Sequence, residues 1–228
     1  MTPQQRTAFI TALVLGLAYI ALIPQQPWPL SWALKPLPIL IYAALMWHAF
    51  GGATGRWLAL GYVAAATGDF FLDYGERDGL FMQALLAFLV NQIALIVAFA
   101  RLGAGRPMPW LRALPALLYC VLLAAGLVPR SGHLMLPVAV YLGSLLAMAV
   151  MACRVEARIG PVWLGAMLFL LADSLIGVNK FATPFPHAVL IIVCCYFVGQ
   201  SLIAWGLLRL ARAPRCDNGG PRVDGVMT

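Results

Sequence analysis

LFMQALLAFLVNQIALIVAFA, residues 80–100, runs for 21 residues without an ionisable side chain. At 1.5 Å per residue a helix of that length is about 32 Å long, enough to cross the hydrocarbon core of a bilayer. Seven further apolar runs lie around it: Ala8–Ile23, Leu37–Phe50, Trp57–Leu72, Trp110–Val128, Leu134–Cys153, Val162–Val178 and Ala188–Leu210. The second is short, and the third and seventh each enclose an aspartate. The connections are short and rich in Gly and Pro. The pattern predicts an all-α integral membrane protein, an eight-helix transmembrane bundle over residues 1–210 as a single domain. Residues 211–228 are predicted to form a polar, disordered cytoplasmic tail.

Composition agrees with this reading. Of 228 residues, 63% are hydrophobic and only 10% charged, with a mean hydropathy of +0.89. A soluble domain carries about 25% charged residues, so a soluble globule, a disordered chain and a disulfide scaffold are excluded. The first run follows Arg6, as in a signal peptide, but Ala21-Leu22-Ile23 is not a small-x-small cleavage site, and the run is read as a helix. Eight spans would leave eleven of the fifteen cations on one side, with Lys35, Arg77, Arg130 and Lys180 on the other. Cations favour the cytoplasmic face, so both termini are expected inside a cell membrane. The net charge of +7 is then topological, and no nucleic-acid partner is expected. No CxxC pair occurs, and three scattered histidines make no ligand set, so neither a metal nor a cofactor is expected.

The halves of the chain resemble one another at three places. Leu37-Pro38-Ile39-Leu40-Ile41-Tyr42 matches Leu136-Pro137-Val138-Ala139-Val140-Tyr141. Gly68-Asp69 matches Ala172-Asp173, and Phe88…Asn91 matches Phe197…Gln200, at offsets of 99, 104 and 109 residues. A parallel 4+4 repeat, with its axis along the membrane normal, is one reading; chance matching of short apolar strings is the other.

Of eight carboxylates, only Asp69 and Asp173 fall within apolar runs. Both lie about 18 Å from the inner ends of their spans. An acid at that depth costs at least about 2.5–3.5 kcal/mol to insert and must turn inward to find partners. Asp173, Gly177 and Lys180 share a helix face, as do Tyr62, Ala66, Asp69 and Asp73. Tyr196 and Gln200 are one turn apart, and Asn91 and Tyr141 lie mid-span. Each of these polar groups suits interhelical bonding as well as chemistry. Lys35 and Lys180, the only lysines, suit either interfacial anchoring or contact with a lipid phosphate.

The segments Lys35-Pro36-Leu37-Pro38, Gly68-Asp69, Leu136…Tyr141, Ala172-Asp173-Ser174-Leu175 with Asn179-Lys180-Phe181, and Tyr196…Gln200 resemble the YhhN family of polytopic membrane proteins. Its animal members are lysoplasmalogenases. The likeness runs from about residue 33 to residue 208. The family's fourth span usually carries a histidine where this chain has Asn91. The resemblance implies eight spans and cleavage of the alkenyl ether of a lysophospholipid, giving a fatty aldehyde and a glycerophospho-base.

Two intramembrane acids fit that chemistry. A vinyl ether is hydrolysed by protonating its β-carbon, and water captures the resulting oxocarbenium ion. Burial and like-charge repulsion both favour a protonated carboxyl, so a close pair is expected to hold one proton between its members. Glycosidases meet a similar cation with paired carboxylates. Asp69 and Asp173 are therefore expected to be acid and base. Lys35, Lys180, Asn179, Tyr141, Tyr196, Gln200, Asn91 and Asp73 are expected to bind substrate or water, with membrane lipids as partners. A proton-coupled transporter using the same aspartates is the competing class, and a lipid-binding protein without activity is a third.

Overall fold

A computed structural model describes residues 1–26, 28–74 and 79–212. The segment holding Glu76, Arg77 and Asp78 and nearly all of the expected tail fall outside them. Every regular element among the described residues is helical, with no strand. In chain order the helices are α1 Pro3–Leu22, α2 Ser31–Leu34, α3 Leu37–Ala49, α4 Gly52–Tyr74 and α5 Phe81–Leu102. They continue with α6 Trp110–Leu127, α7 Met135–Ala152, α8 Pro161–Gly177 and α9 Ala188–Leu210.

Local sequence sets the ends. Thr2 and Gln5 form a reciprocal capping box, with Pro3 in the first turn of α1. Gly160 has no side chain to cap α8, and Glu156 takes that part: its Oε2 accepts from the amides of Val162 at 2.9 Å and Trp163 at 3.4 Å. Glu156 lies outside the apolar helices, and its partial burial pushes its pKa up from the ordinary carboxylate range despite these amides.

Among the described residues five helical stretches are long and apolar enough to cross a membrane: Pro3–Gln25, Phe81–Leu102, Trp110–Ala152, Pro161–Ala182 and Ala188–Leu210. The chain is thus a multi-pass membrane protein. Two of the helices in the predicted runs fall below the same standard, for separate reasons. At 13 residues α3 is about 20 Å long, shorter than the hydrocarbon core. By contrast α4 has 23 residues, but it is built largely of Gly, Ala, Thr and Asp. Its buried residues include Gly55, Gly61, Ala64, Ala65, Ala66, Gly68 and Asp69, which let neighbouring helices approach closely. The 43-residue stretch Trp110–Ala152 holds both α6 and α7, joined by a 3₁₀ turn in which Gly132 takes φ 56°.

The core lies between the helices, and many large side chains on the outside are apolar, among them Leu111, Leu122 and Leu136. In a membrane protein those side chains face lipid. The two closest helix pairs are α4 with α5 and α8 with α9. In the second pair the backbones nearly touch: a Cβ on Gly165 would lie 2.5 Å from the Gly199 carbonyl oxygen. Glycine at this crossing is a packing requirement. Gly165→Ala is expected to force α8 from α9 and cost about 1–3 kcal/mol, read as a lower midpoint of thermal unfolding in detergent. A wild-type midpoint would mean that the crossing adapts.

Candidate active site

Asp69 lies in the last third of α4 and Asp173 near the end of α8, and both are buried, at 1% and 6% exposure. They have separate sets of donors. Asp69 Oδ2 accepts a hydrogen bond from the Tyr196 hydroxyl of α9 at 2.6 Å, and its Oδ1 is 3.7 Å from Lys35 Nζ. Lys35 follows α2, and the turn into Pro36 carries its ammonium inward. It is 7% exposed and lies 6.0 Å from the centre of the Tyr19 ring. Of the two roles read for Lys35, interfacial anchor or contact for a lipid phosphate, the anchor does not fit this burial.

Asp173 Oδ2 accepts from the Tyr141 hydroxyl of α7 and from Gln92 Nε2 of α5, the latter at 3.3 Å. Ser144, one turn beyond Tyr141, bonds Gln92 Oε1. That bond turns the amide so that its NH₂ faces the acid. No cation bonds Asp173 among the described residues. The two acids thus have no donor in common among the described residues. They do not hydrogen-bond one another.

Beside Asp173 is a small, partly open cavity of about 40 Å³ between α4, α5, α6, α7 and α8. Phe81, Phe88, Leu127, Leu142 and Phe181 form much of its wall, and Tyr141 and Asp173 bring polar oxygens to it. Asp69 is not in that wall. Its donor Tyr196 packs edge-on against Phe88, ring centres 6.0 Å apart, and Phe88 is in the wall. A Cβ on Gly68 would lie 2.7 Å from the Phe88 ring, so glycine beside Asp69 makes room for that ring. Lys180, in a π-helical turn that follows α8, lies 4.4 Å over the Phe81 ring at the cavity's edge. A π turn of this kind often marks a functional site.

The remaining expected residues are more dispersed. Asp73 accepts from Tyr19 at 2.7 Å and from Gln26 at 3.4 Å, one turn beyond Asp69 on α4. Asn179 holds the backbone N–H of Phe185 at 3.3 Å, a loop contact away from the acids. Asn91 and Gln200 are buried, and neither side-chain amide has a partner among the described residues. Sequence reasoning passed over Gln92, Ser144 and Tyr19. Gln92 carried the same signal as its neighbour Asn91, a polar residue deep in an apolar run.

The YhhN family profile matches residues 30–207. The chain belongs to the YhhN family. It is 33% identical to human lysoplasmalogenase TMEM86B over 199 residues, 82% of this chain and 80% of that protein. The pig lysoplasmalogenase TMEM86B is 32% identical over 91% of this chain and 86% of its own. A Mycobacterium bovis lysoplasmalogenase is 32% identical over 64% of this chain and 57% of its own. No solved structure matches significantly.

Proposed function

We propose that this YhhN protein is a membrane lysoplasmalogenase, cleaving the vinyl ether of a lysophospholipid with Asp173 as proton donor and Asp69 as the standing carboxylate. The observation that carries the proposal is the buried Asp173 carboxyl in the wall of an otherwise apolar cavity. The names of the relatives agree with it, and none of them supports the transporter reading. The vinyl ether end of the alkenyl chain enters the cavity, and Lys180 at its edge meets the phosphate. Eight spans with both termini cytoplasmic, arranged as two parallel halves, complete the proposal. The cationic ends of the runs and the paired closeness of α4–α5 and α8–α9 support that arrangement.

The assignment of the two acids follows from their neighbours. The Lys35 ammonium balances a negative charge on Asp69, whereas among the described residues Asp173 is met by a phenol and an amide. Asp173 gives its proton to the β-carbon of the vinyl ether, leaving an oxocarbenium ion that the nearby negative charge of Asp69 stabilises. Water adds to the cationic carbon and its released proton returns to Asp173. The hemiacetal then loses its hydroxyl proton as its bond to the glycerol oxygen breaks. That oxygen leaves with the electron pair and takes up a proton, giving aldehyde and a free glycerol hydroxyl. One water is consumed, and protons balance.

The test is mass spectrometry of lysoplasmalogens incubated with the purified protein. Free fatty aldehyde with a matching glycerophospho-base is expected. Fatty acid from ester lysolipids without aldehyde would identify a different hydrolase.

A further inference from the structure

Hydrolysis inside a membrane needs water where lipid excludes it, and the cavity beside Asp173 is apolar. A second polar region lies deeper in the bundle, among α4, α5 and α9. Asn91 of α5 is 1% exposed and Gln200 of α9 is 0% exposed. Among the described residues both polar atoms of both amides lack a protein partner. Four buried amide atoms left unbonded would each cost free energy, and native proteins meet such groups with internal water.

The two residues adjoin neighbouring positions of α4. A Cβ on Gly61 would lie 3.4 Å from Asn91 Oδ1, so glycine there lets the Asn91 amide pack closely against α4. The next residue, Tyr62, is buried and donates to the Gln200 main-chain oxygen at 3.3 Å. Gln200 is one turn along α9 from Tyr196, the donor to Asp69. Asn91 directly precedes Gln92, the donor to Asp173. The Tyr62 ring also lies 5.9 Å from Tyr42, whose hydroxyl bonds Ser201 at 2.8 Å. Hydroxyls and amides thus collect on the side of the acids away from the cavity.

We propose that Asn91 and Gln200 hold a buried water site beside Tyr62, which supplies the hydrolytic water to the acids from the side opposite the lipid. The inference rests on the hydrolase reading for its use of the water, but the site itself can be tested apart from activity. Asn91 and Gln200 are positioning residues on this view. They act through water, and Tyr62 and Tyr196 line its way.

X-ray hydroxyl-radical footprinting modifies buried side chains next to bound water. In the full-length protein in detergent, Tyr62 is expected to be modified at least tenfold faster than Phe99, which is 0% exposed in an apolar setting. The double variant Asn91→Leu/Gln200→Leu should lower Tyr62 to the Phe99 rate. In lysoplasmalogen assays each Leu variant should lose about tenfold in kcat with KM unchanged, while Asn91→Ser, polar and smaller, keeps most of it. Tyr62 modified as slowly as Phe99 in the wild type would overturn the site. Tyr62 labelling lost in the Leu variants with kcat unchanged would overturn its role as supplier. Tyr62 labelled as expected in a wild-type protein that releases no aldehyde would uphold the site and remove the hydrolase reading alone.

Discussion

Asp173→Asn is expected to lower aldehyde release by about 10²–10⁴-fold, the range a positioned general acid contributes, through kcat with little change in KM. Asparagine keeps an oxygen for the Tyr141 hydroxyl and Gln92 amide that hold the position, so the fold should survive and lipid should still enter the cavity. What is lost is the proton for the β-carbon. Asp69→Asn should cost less, because it removes charge stabilisation behind the Tyr196–Phe88 contact and leaves the donor in place. Thermal unfolding and ligand binding of each variant separate these effects from misfolding. A folded Asp173→Asn protein with wild-type turnover would remove the acid from the mechanism.

Lys35→Met is expected to have the largest effect on stability, about 3–5 kcal/mol, the cost of leaving one member of a buried ion pair without the other. Methionine has nearly the volume of the lysine stem, so the loss reports charge more than packing. With Lys35 7% and Asp69 1% exposed, water cannot substitute for the ammonium. The double variant Lys35→Met/Asp69→Asn should recover most of the loss, because no uncompensated charge is then buried. Unfolding midpoints of the two single variants and the double variant check this. Additive losses would mean that the 3.7 Å contact contributes little.

The membrane class and the two acids were legible in the sequence because the bilayer tolerates few ionisable groups. Asp69 and Asp173 stood out as the only carboxylates in apolar runs, and the structure buries both. Their partners were less legible. Adjacent residues on a helix point about 100° apart, so one residue decides whether Asn91 or Gln92 meets Asp173. No spacing rule applies before the approach of α5 to α7 is known. Lys35 read as an anchor or a phosphate contact because it lies at the outer end of its run, and only the turn after α2 shows its ammonium directed at Asp69. Tyr19 lies in a run that read as a plain span, yet its hydroxyl reaches Asp73 across 54 residues of sequence. The eight runs and the five stretches of spanning length differ chiefly at α3 and α4. A criterion of length and hydropathy leaves out a short helix and a helix built of small residues.

The central claim is that a proton is delivered to carbon from Asp173. The most direct test is hydrolysis of a lysoplasmalogen in D₂O by wild-type protein, with the aldehyde product trapped by reduction and its mass determined alongside that of the glycerophospho-base made in H₂¹⁸O. The account predicts one deuterium on the carbon next to the former carbonyl and no ¹⁸O in the glycerophospho-base. An ¹⁸O in the glycerol hydroxyl would show water attacking the glycerol carbon instead, and would contradict it.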